Sequence, residues 1–589
     1  MCGIVGVMTT DGMPPASGAI DAMLTAIAHR GPDGEGRSTQ GGVALAQKRL
    51  AIIDLSTGDQ PLFGPGETAI VANGEIYNYV ELKQDAHGYN FATNSDCELP
   101  LYTYARDGSS FAKHLRGMYG IALDDPKAPE LYISRDPFGI KPLYYAEGTF
   151  GFAFASEPQA LIRAGLVAPR VVPSKVNELL QLQFTTGGQT IFDGIKRVLP
   201  GETLGIRAGR IHSRTQVPAL PDGGPIAIDE DHAVNELERA LLDSVMVHQR
   251  SDVPYGMFLS GGIDSSALLA CMMRLNDRPV RAFTAGFPGT GVHDERAHAR
   301  AVAKAAGAEH VEIEVTAEDF WREFPAIVAA MDDPAADYAI VPTYMLAKAA
   351  RRELKVVLCG EGGDELFAGY GRYRSAIRPR LLGGRPMRHR GVLEGLGVLR
   401  EENGTWRDGM AVAEAEAATG GRTKLQIAQA IDCADWLPHD LLLKLDRCLM
   451  ANSMEGRTPF LDPVVANFAF RLPEELKVRR GMGKYLLRKW LARALPESKP
   501  FEPKRGFTVP VAEWMKEKVK QLGPLVAQSP GVAQLCKPAA VEKLFANLDW
   551  RDRYRMACWQ LVFYAVWHRV HIEGGRSDLP LMELLEGAS

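Results

Sequence analysis

A Pro- and Gly-rich run, Gln216-Val217-Pro218-Ala219-Leu220-Pro221-Asp222-Gly223-Gly224-Pro225, divides this chain into two parts whose apolar residues repeat with different periods. Before the run, short apolar segments at 42–46, 68–73 and 131–134 are separated by Gly, Pro and Asp turns. Helical patterns interrupt them at 19–29 and 97–107. Strand-rich blocks with occasional helices predict layered α+β packing. After the run, 231–249 reads as an amphipathic helix with Val234, Leu237, Leu241, Leu242 and Val245 at helical spacing. Strand patterns at 255–259, 280–286, 310–315 and 355–359 then alternate with helical ones at 265–275, 294–306 and from 318. That alternation predicts a parallel sheet covered by helices. From about residue 425 helices dominate. A chain of 589 residues is too long for one core. The expected division is an N-terminal domain over 1–212, a linker over 213–230, a second domain over 231–520 and a helical extension over 521–589.

Charge and cysteine usage exclude several classes. The 67 basic and 72 acidic residues give a net charge of −5, with no basic excess to suggest nucleic acid. The basic residues between Arg372 and Arg390 are expected to form a solvated face. Eight scattered cysteines include no C-x-x-C pair, so neither a zinc site nor a redox motif is indicated. Sparse cysteines fit a reducing compartment. No signal-peptide pattern and no span of about 20 apolar residues is found, so a cytoplasmic protein without a membrane partner is expected.

Two features carry chemistry. In Met1-Cys2-Gly3-Ile4-Val5-Gly6, removal of Met1 would leave a cysteine with both a thiol and a free α-amine. Such an amine titrates at about 7.7–8.0 and can serve as a local base for covalent acyl transfer. The second feature, Ser260-Gly261-Gly262-Ile263-Asp264-Ser265-Ser266, follows one strand and opens a helix. Glycines admit a phosphate closely, and a helix N-terminus offers N–H groups and a positive dipole end. A carboxylate at Asp264 should repel phosphate unless Mg²⁺ bridges them. The kinase P-loop spacing is absent. A parallel unit, Val356-Val357-Leu358-Cys359-Gly360-Glu361-Gly362-Gly363-Asp364-Glu365, again joins strand, glycines and acids. Both loops would face one crevice at the carboxyl ends of the strands. There Asp264 and Asp364 would share the metal and Glu361 would be free for acid–base or positioning work. Lys504 is a candidate cation for developing phosphate charge.

These motifs resemble the glutamine-dependent asparagine synthetases of the bacterial B type and their amidotransferase relatives. The likeness runs from Cys2 to about Trp514. In the first part it rests on Cys2-Gly3-Ile4, His29-Arg30-Gly31-Pro32-Asp33, Arg49-Leu50-Ala51-Ile52-Ile53-Asp54, Asn73-Gly74-Glu75-Ile76-Tyr77-Asn78 and Ser95-Asp96-Cys97-Glu98. In the second it rests on the two glycine loops, Glu455-Gly456-Arg457-Thr458-Pro459-Phe460-Leu461-Asp462 and Lys504-Arg505-Gly506-Phe507. The resemblance implies an N-terminal-nucleophile glutaminase, an α/β/β/α sandwich, followed by an ATP-pyrophosphatase-type synthetase domain. It implies that Cys2 attacks glutamine, with Asn73 and the Gly74 N–H as oxyanion hole. Arg49, Asp96 and main-chain groups at Ile53 and Glu75 would hold the glutamine. ATP would lie over Leu259, Ser260, Gly261, Gly262, Asp264, Ser265, Ala285, Cys359 and Gly360. Asp264 and Asp364 would hold Mg²⁺, and Glu361 and Lys504 would flank the reacting centre. The acceptor carboxylate, aspartate, would become an acyl-adenylate that ammonia from Cys2, crossing an internal channel, converts to the amide. A homodimer is compatible with this plan.

The alternatives are relatives that amidate another carboxylate, such as a cell-wall peptide or a biosynthetic intermediate, and a nucleotide sensor that keeps the fold without the reaction. Cys359 replaces a serine common in relatives, Cys448 lies in a helix usually lined by small residues, and the tryptophans of the tail are expected to pack.

Overall fold

The computed structural model describes residues 2–402, 404–503, 508–547 and 552–587. The first part of the chain forms two six-stranded antiparallel sheets. In chain order their strands are β1 (Cys2–Met8), β2 (Gly34–Gln40), β3 (Val43–Arg49), β4 (Leu62–Phe63), β5 (Ala69–Ile76), β6 (Gly117–Asp125), β7 (Glu130–Arg135), β8 (Tyr144–Gly148), β9 (Gly151–Ala155), β10 (Lys196–Arg197), β11 (Glu202–Arg207) and β12 (Arg210–Gln216). One sheet runs β10-β8-β9-β1-β3-β2, the other β12-β11-β7-β6-β5-β4.

Period-two alternation explains why the sheets stack. On β1, Ile4 and Met8 point at the second sheet, where they meet Val71, Ala122 and Ile133. Val5 and Val7 point outward into a core with Ile20, Met23 and Leu24 of the helix Ser17–Ala26. The second sheet turns Ile70, Ala72 and Ile121 toward Leu101 of the helix Leu99–Asp107 and Phe111. The result is helix, sheet, sheet, helix, as expected.

The second part builds a five-stranded parallel sheet from β13 (Tyr255–Phe258), β14 (Arg281–Gly286), β15 (Glu309–Glu314), β16 (Val356–Leu358) and β17 (Glu455–Arg457). Its order is β15-β14-β13-β16-β17. The direction of chain progression reverses between β13 and β16, and open α/β sheets bind ligands at that switch point. Both glycine loops leave the carboxyl ends of these two strands. β17 was legible only as part of a motif; its three residues are too few to show a period.

Beyond residue 425 the helices include a ten-residue π-helix over Asp432–Leu441 that runs into the helix Leu442–Met450. The helix Asp552–His571 is buried on nearly every side. Its Trp559 indole donates to the Ala336 carbonyl at 2.6 Å and its Trp567 indole to that of Met331 at 2.9 Å. Trp550 lies outside the described residues. Among the described residues no helix is long and apolar enough to cross a membrane.

One expectation is corrected. The Arg372–Arg390 stretch is not wholly a solvated face, because the Arg372 guanidinium lies 3.7 Å from the centre of the Tyr370 ring and that of Arg388 lies 3.8 Å from the centre of Trp436. Planar guanidinium groups stack on aromatic faces where a hydrated ammonium would not.

Candidate active sites

The first site begins with strand register. Antiparallel pairing sets Cys2 opposite Arg49 on β3. Face to face with them, β5 carries Asn73, Gly74 and Glu75. The two sheets are tied at this point, since the Cys2 backbone nitrogen donates to Asn73 Oδ1 at 3.1 Å. Asn73 is fully buried, and its Nδ2 has no hydrogen-bond partner. A shielded amide N–H left without an acceptor is unfavourable by roughly 1–3 kcal/mol, so it marks a place prepared for an oxygen. Gly74 must be glycine here, because a Cβ would lie 2.0 Å from the Met118 carbonyl oxygen across the β5–β6 pair.

Charge around the thiol is finely divided. Burial pushes the Cys2 pKa up, while the positive amino terminus, a backbone hydrogen bond at Leu50 and the Arg49 charge draw it down. Arg49 Nη1 bonds Asp59 at 2.7 Å, and Asp59 is largely exposed. Arg49 Nη2 lies 3.5 Å from the Ile53 carbonyl and also bonds that of Asp54. Asp96 accepts from the Ile76 N–H at 2.7 Å, and its pKa is raised by burial. Glu75 is held well above the usual carboxylate range by burial and by the nearby Glu455 charge. Cys2, Arg49, Ile53, Asn73, Gly74, Glu75 and Asp96 thus belong to one neighbourhood assembled from both sheets.

The second site is built on the β13 and β16 loops. Leu259 is locked by its N–H to the Phe283 carbonyl and by the Thr284 hydroxyl on its own carbonyl. Ser260 Oγ lies 3.1 Å from Ser265 Oγ and accepts from the Gly262 N–H at 3.2 Å. Gly261 has φ 71°, a left-handed conformation that favours glycine. Ala285 is the penultimate residue of the neighbouring strand β14, and the Cys359 N–H bonds the Arg457 carbonyl. Gly360 and Gly363 admit Asp264: a Cβ on Gly363 would lie 2.4 Å from its Oδ1, and one on Gly360 3.0 Å from its Cβ.

Asp264 and Asp364 do converge on one cation, and that cation is a lysine. Lys484 Nζ lies 2.5 Å from Asp264 Oδ2 and 2.8 Å from Asp364 Oδ1. Its side chain is fully buried; burial opposes its charge, but the two carboxylates outweigh that and raise its pKa. Gly369 is required beside it, since a Cβ there would lie 1.8 Å from Asp364 Oδ1. Two carboxylates gathered at a phosphate-type loop are a donor set suited to Mg²⁺, which takes one or two carboxylates plus phosphate oxygens. Sequence reading missed Lys484; its only local signal is Gly481-Met482-Gly483-Lys484, with Lys484 at φ 58°. Glu361 has its pKa raised by burial, opposed by the Lys444 charge. Lys444 Nζ is paired with Asp337 at 3.0 Å. Lys504 lies outside the described residues.

Between the two sites runs a wall of buried ions contributed by both parts of the chain. Arg30 pairs with Asp446 and Glu157 at 2.8 Å each. Arg447 pairs with Asp332 at 2.8 Å, and Arg197 with Asp333 at 2.8 Å. Arg457 on β17 bonds Glu455 and approaches Glu75 at 3.3 Å. Glu455 raises the Cys2 pKa from across this boundary. Breaking one such buried pair is unfavourable by about 3–5 kcal/mol, so the wall fixes the relative register of the two sites.

Comparison with known proteins agrees with both halves. The glutamine amidotransferase domain family matches residues 1–216, and the asparagine synthase family matches residues 236–569. Glutamine-hydrolysing asparagine synthetase 1 of Bacillus subtilis (strain 168) is 34% identical, covering 97% of this chain and 97% of its own. Glutamine-hydrolysing asparagine synthetase B of Escherichia coli (strain K12) is 30% identical over 86% of this chain and 82% of its own. Amidase chry2 of Gibberella zeae is 31% identical over 64% and 60%. With a buried Cys2–Asn73 site and an acid-lined glycine-loop crevice joined by one ion-paired wall, and with these matches along nearly all its length, the chain belongs to the glutamine-hydrolysing asparagine synthetase family.

Proposed function

We propose that this chain amidates aspartate to asparagine, consuming ATP and glutamine and releasing AMP, pyrophosphate and glutamate. The observation that carries the reading is the joint burial of a cysteine–asparagine pair and an acid-lined glycine-loop crevice on the two sides of one wall.

With Met1 removed, the Cys2 α-amine takes the thiol proton and the thiolate attacks the glutamine side-chain carbon. The developing oxyanion is stabilised by Asn73 Nδ2 and the Gly74 N–H, donors that need not reorganise during reaction. The leaving nitrogen takes that proton from the Cys2 α-ammonium and departs as ammonia, and water then hydrolyses the thioester to glutamate, freeing the thiol. Arg49 holds the glutamine α-carboxylate, displacing the exposed Asp59, and Asp96 holds its α-amine.

In the second crevice, Leu259, Ser260, Gly261, Gly262, Ser265, Ala285, Cys359 and Gly360 cradle ATP. The acceptor carboxylate attacks the α-phosphorus and pyrophosphate departs. Asp264 and Asp364 would hold Mg²⁺, which neutralises phosphate charge when bound. Lys484, already at those carboxylates, and Lys504 offset the charge that develops on the pyrophosphate. Ammonia attacks the acyl carbon and AMP leaves. Glu361, with its raised pKa, accepts the surplus proton. Adenylation is needed because oxide is a poor leaving group. Passage of ammonia along the buried wall keeps it from being protonated by bulk water.

The relative named amidase chry2 supports a second reading, in which the same machinery amidates a different carboxylate. Incubation with glutamine, Mg-ATP and a panel of carboxylic acids, with pyrophosphate as readout, decides between them. Turnover with aspartate alone supports the first reading. Silence with aspartate but turnover with a larger acid supports the second, and release of ADP and phosphate contradicts both.

A further inference from the structure

The π-helix Asp432–Leu441 is unusual in length, since π-helical segments are mostly single turns and gather at functional sites. Residues four apart in such a helix are nearly one turn apart, so Asp432, Trp436 and Asp440 share a face. Two arginines pack on it. Arg372 bonds Asp432 Oδ2 at 2.9 Å through Nε and lies 5.0 Å from the centre of the Trp436 ring. Arg388 lies 3.8 Å from that centre and 5.3 Å from that of Phe184. Its backbone is at φ 44°, a left-handed conformation that an arginine rarely adopts.

This cluster leaves its polar atoms unmet. Arg388 Nε and Nη2, Trp436 Nε1 and the Tyr373 hydroxyl are shielded from solvent and have no hydrogen-bond partner. Arg388 has no carboxylate partner among the described residues, and its pKa is lowered to about 10 by burial and by the Arg372 charge. Two acceptor atoms are equally idle, Asp432 Oδ1 and Asp440 Oδ1. Asp440 Oδ2 is anchored by Gln183 Nε2 at 2.8 Å. Buried polar atoms are nearly always paired, and a charged donor left alone is the most unfavourable kind. Orphan donors beside orphan carboxyl oxygens match a group that is itself both anionic and cationic; burial and the Asp337 charge push the Asp440 pKa up to about 8, so Asp432, ion-paired with Arg372, carries the negative charge of this face. The cluster also borders the reaction centre: Asp440 interacts electrostatically with Lys444 and Asp337, and Lys444 with Glu361. Trp436 and Arg372 are only partly buried, so the cluster has an open edge.

We propose that this face recognises the amino-acid end of the acceptor, with its α-carboxylate on the Arg388 and Trp436 N–H donors and its α-ammonium on the Asp440 and Asp432 oxygens. The proposal rests on the reading that the chain amidates a carboxylate, and it names the groups that select the acceptor by its zwitterionic end while the other carboxylate is activated.

The test uses the full-length enzyme, saturating Mg-ATP and ammonia, and aspartate as the varied acceptor. Arg388→Gln raises the KM for aspartate about 10–100-fold, the range that follows from losing charge-assisted hydrogen bonds. The KM for ATP and the glutaminase rate stay within about twofold. Trp436→Phe keeps the stacking ring but removes the N–H and gives a smaller rise, about tenfold. Aspartate α-amide is a poor acceptor for the parent enzyme, and Arg388→Gln penalises it no further, as expected when one interaction is removed from either side. Unchanged aspartate KM in both variants overturns the proposal, as does a uniform fall in kcat with a lowered melting temperature, which would make Arg388 a brace only. If the parent enzyme forms pyrophosphate with no acid, the proposed reaction fails instead. Calorimetric aspartate binding then still tests the face: binding lost in Arg388→Gln supports it, and binding retained or absent in the parent overturns it.

Discussion

The two chambers hold their charge in opposite ways. Around Cys2 the prepared groups are an amide with a free N–H, a thiol whose pKa burial pushes up, and the buried carboxyls of Glu75 and Asp96, whose pKa values burial also raises. Around Asp264 the prepared groups are ionic, and a buried lysine already occupies the point where the carboxylates meet. A site that handles a neutral amide can be finished before its substrate arrives. On the proposed reading, a site that takes a polyanionic nucleotide must hold its own charges in balance until then, and Lys484, paired with both carboxylates, supplies that balance.

The largest effect that separates the chambers is expected from Cys2→Ala. Glutaminase activity falls by about 10³-fold or more, while pyrophosphate formation with ammonia as nitrogen source stays near the parent rate. Parent-like glutamine hydrolysis by this variant would remove the nucleophile from the first chamber. Next is Asn73→Ala, which deletes the idle amide donor and should lower glutaminase kcat by about 10²–10³-fold with little change in KM. A rise in KM alone would make Asn73 a binding group.

Lys484→Met sharpens the contrast from the other side. It leaves two carboxylates facing one another, so ATP-dependent pyrophosphate formation should drop by about 10²-fold with glutaminase within twofold. Added Asp264→Asn should partly restore the variant's stability by relieving that repulsion. Equal losses in both activities would mean that Lys484 supports the whole fold.

The smallest effect expected is a pH dependence. Glu365 accepts from the Tyr370 hydroxyl at 2.7 Å, and its pKa is raised to about 7 by burial, with Asp364 adding to the shift. A raised folded-state value means that its stabilising contribution is complete below the unfolded value, about 4.3, and lost as pH rises through 7. Glu365→Gln should therefore flatten the decline in stability between pH 5 and pH 8 by up to about 3 kcal/mol. Thermal unfolding at the two pH values measures this, and parallel shifts in parent and variant would contradict it.

What could be read in advance follows from distance along the chain. The short apolar segments between turns and the strand–glycine–helix units are local patterns, so the layered α+β packing, the parallel sheet and the two loops were legible, while the stacking of the first part as a sandwich came from the family resemblance. Cys2, Asn73, Asp264 and Asp364 were legible because each sits in a compact motif. Lys484 was not, because it meets Asp264 across 220 positions and nothing beside it announces an acid. Arg388 was misread with its neighbours because a run of basic residues does not say which of them finds an aromatic face. The π-helix was invisible for a related reason: a spacing of four residues suits either winding.

The proposed reaction requires that nitrogen freed in the first chamber reach the second without entering bulk water. Amide-¹⁵N glutamine supplied together with excess unlabelled ammonium, followed by mass analysis of the amidated product, tests it most directly. Direct transfer gives product enriched in ¹⁵N far above the label in the external pool. Product carrying the same isotope ratio as that pool would contradict it.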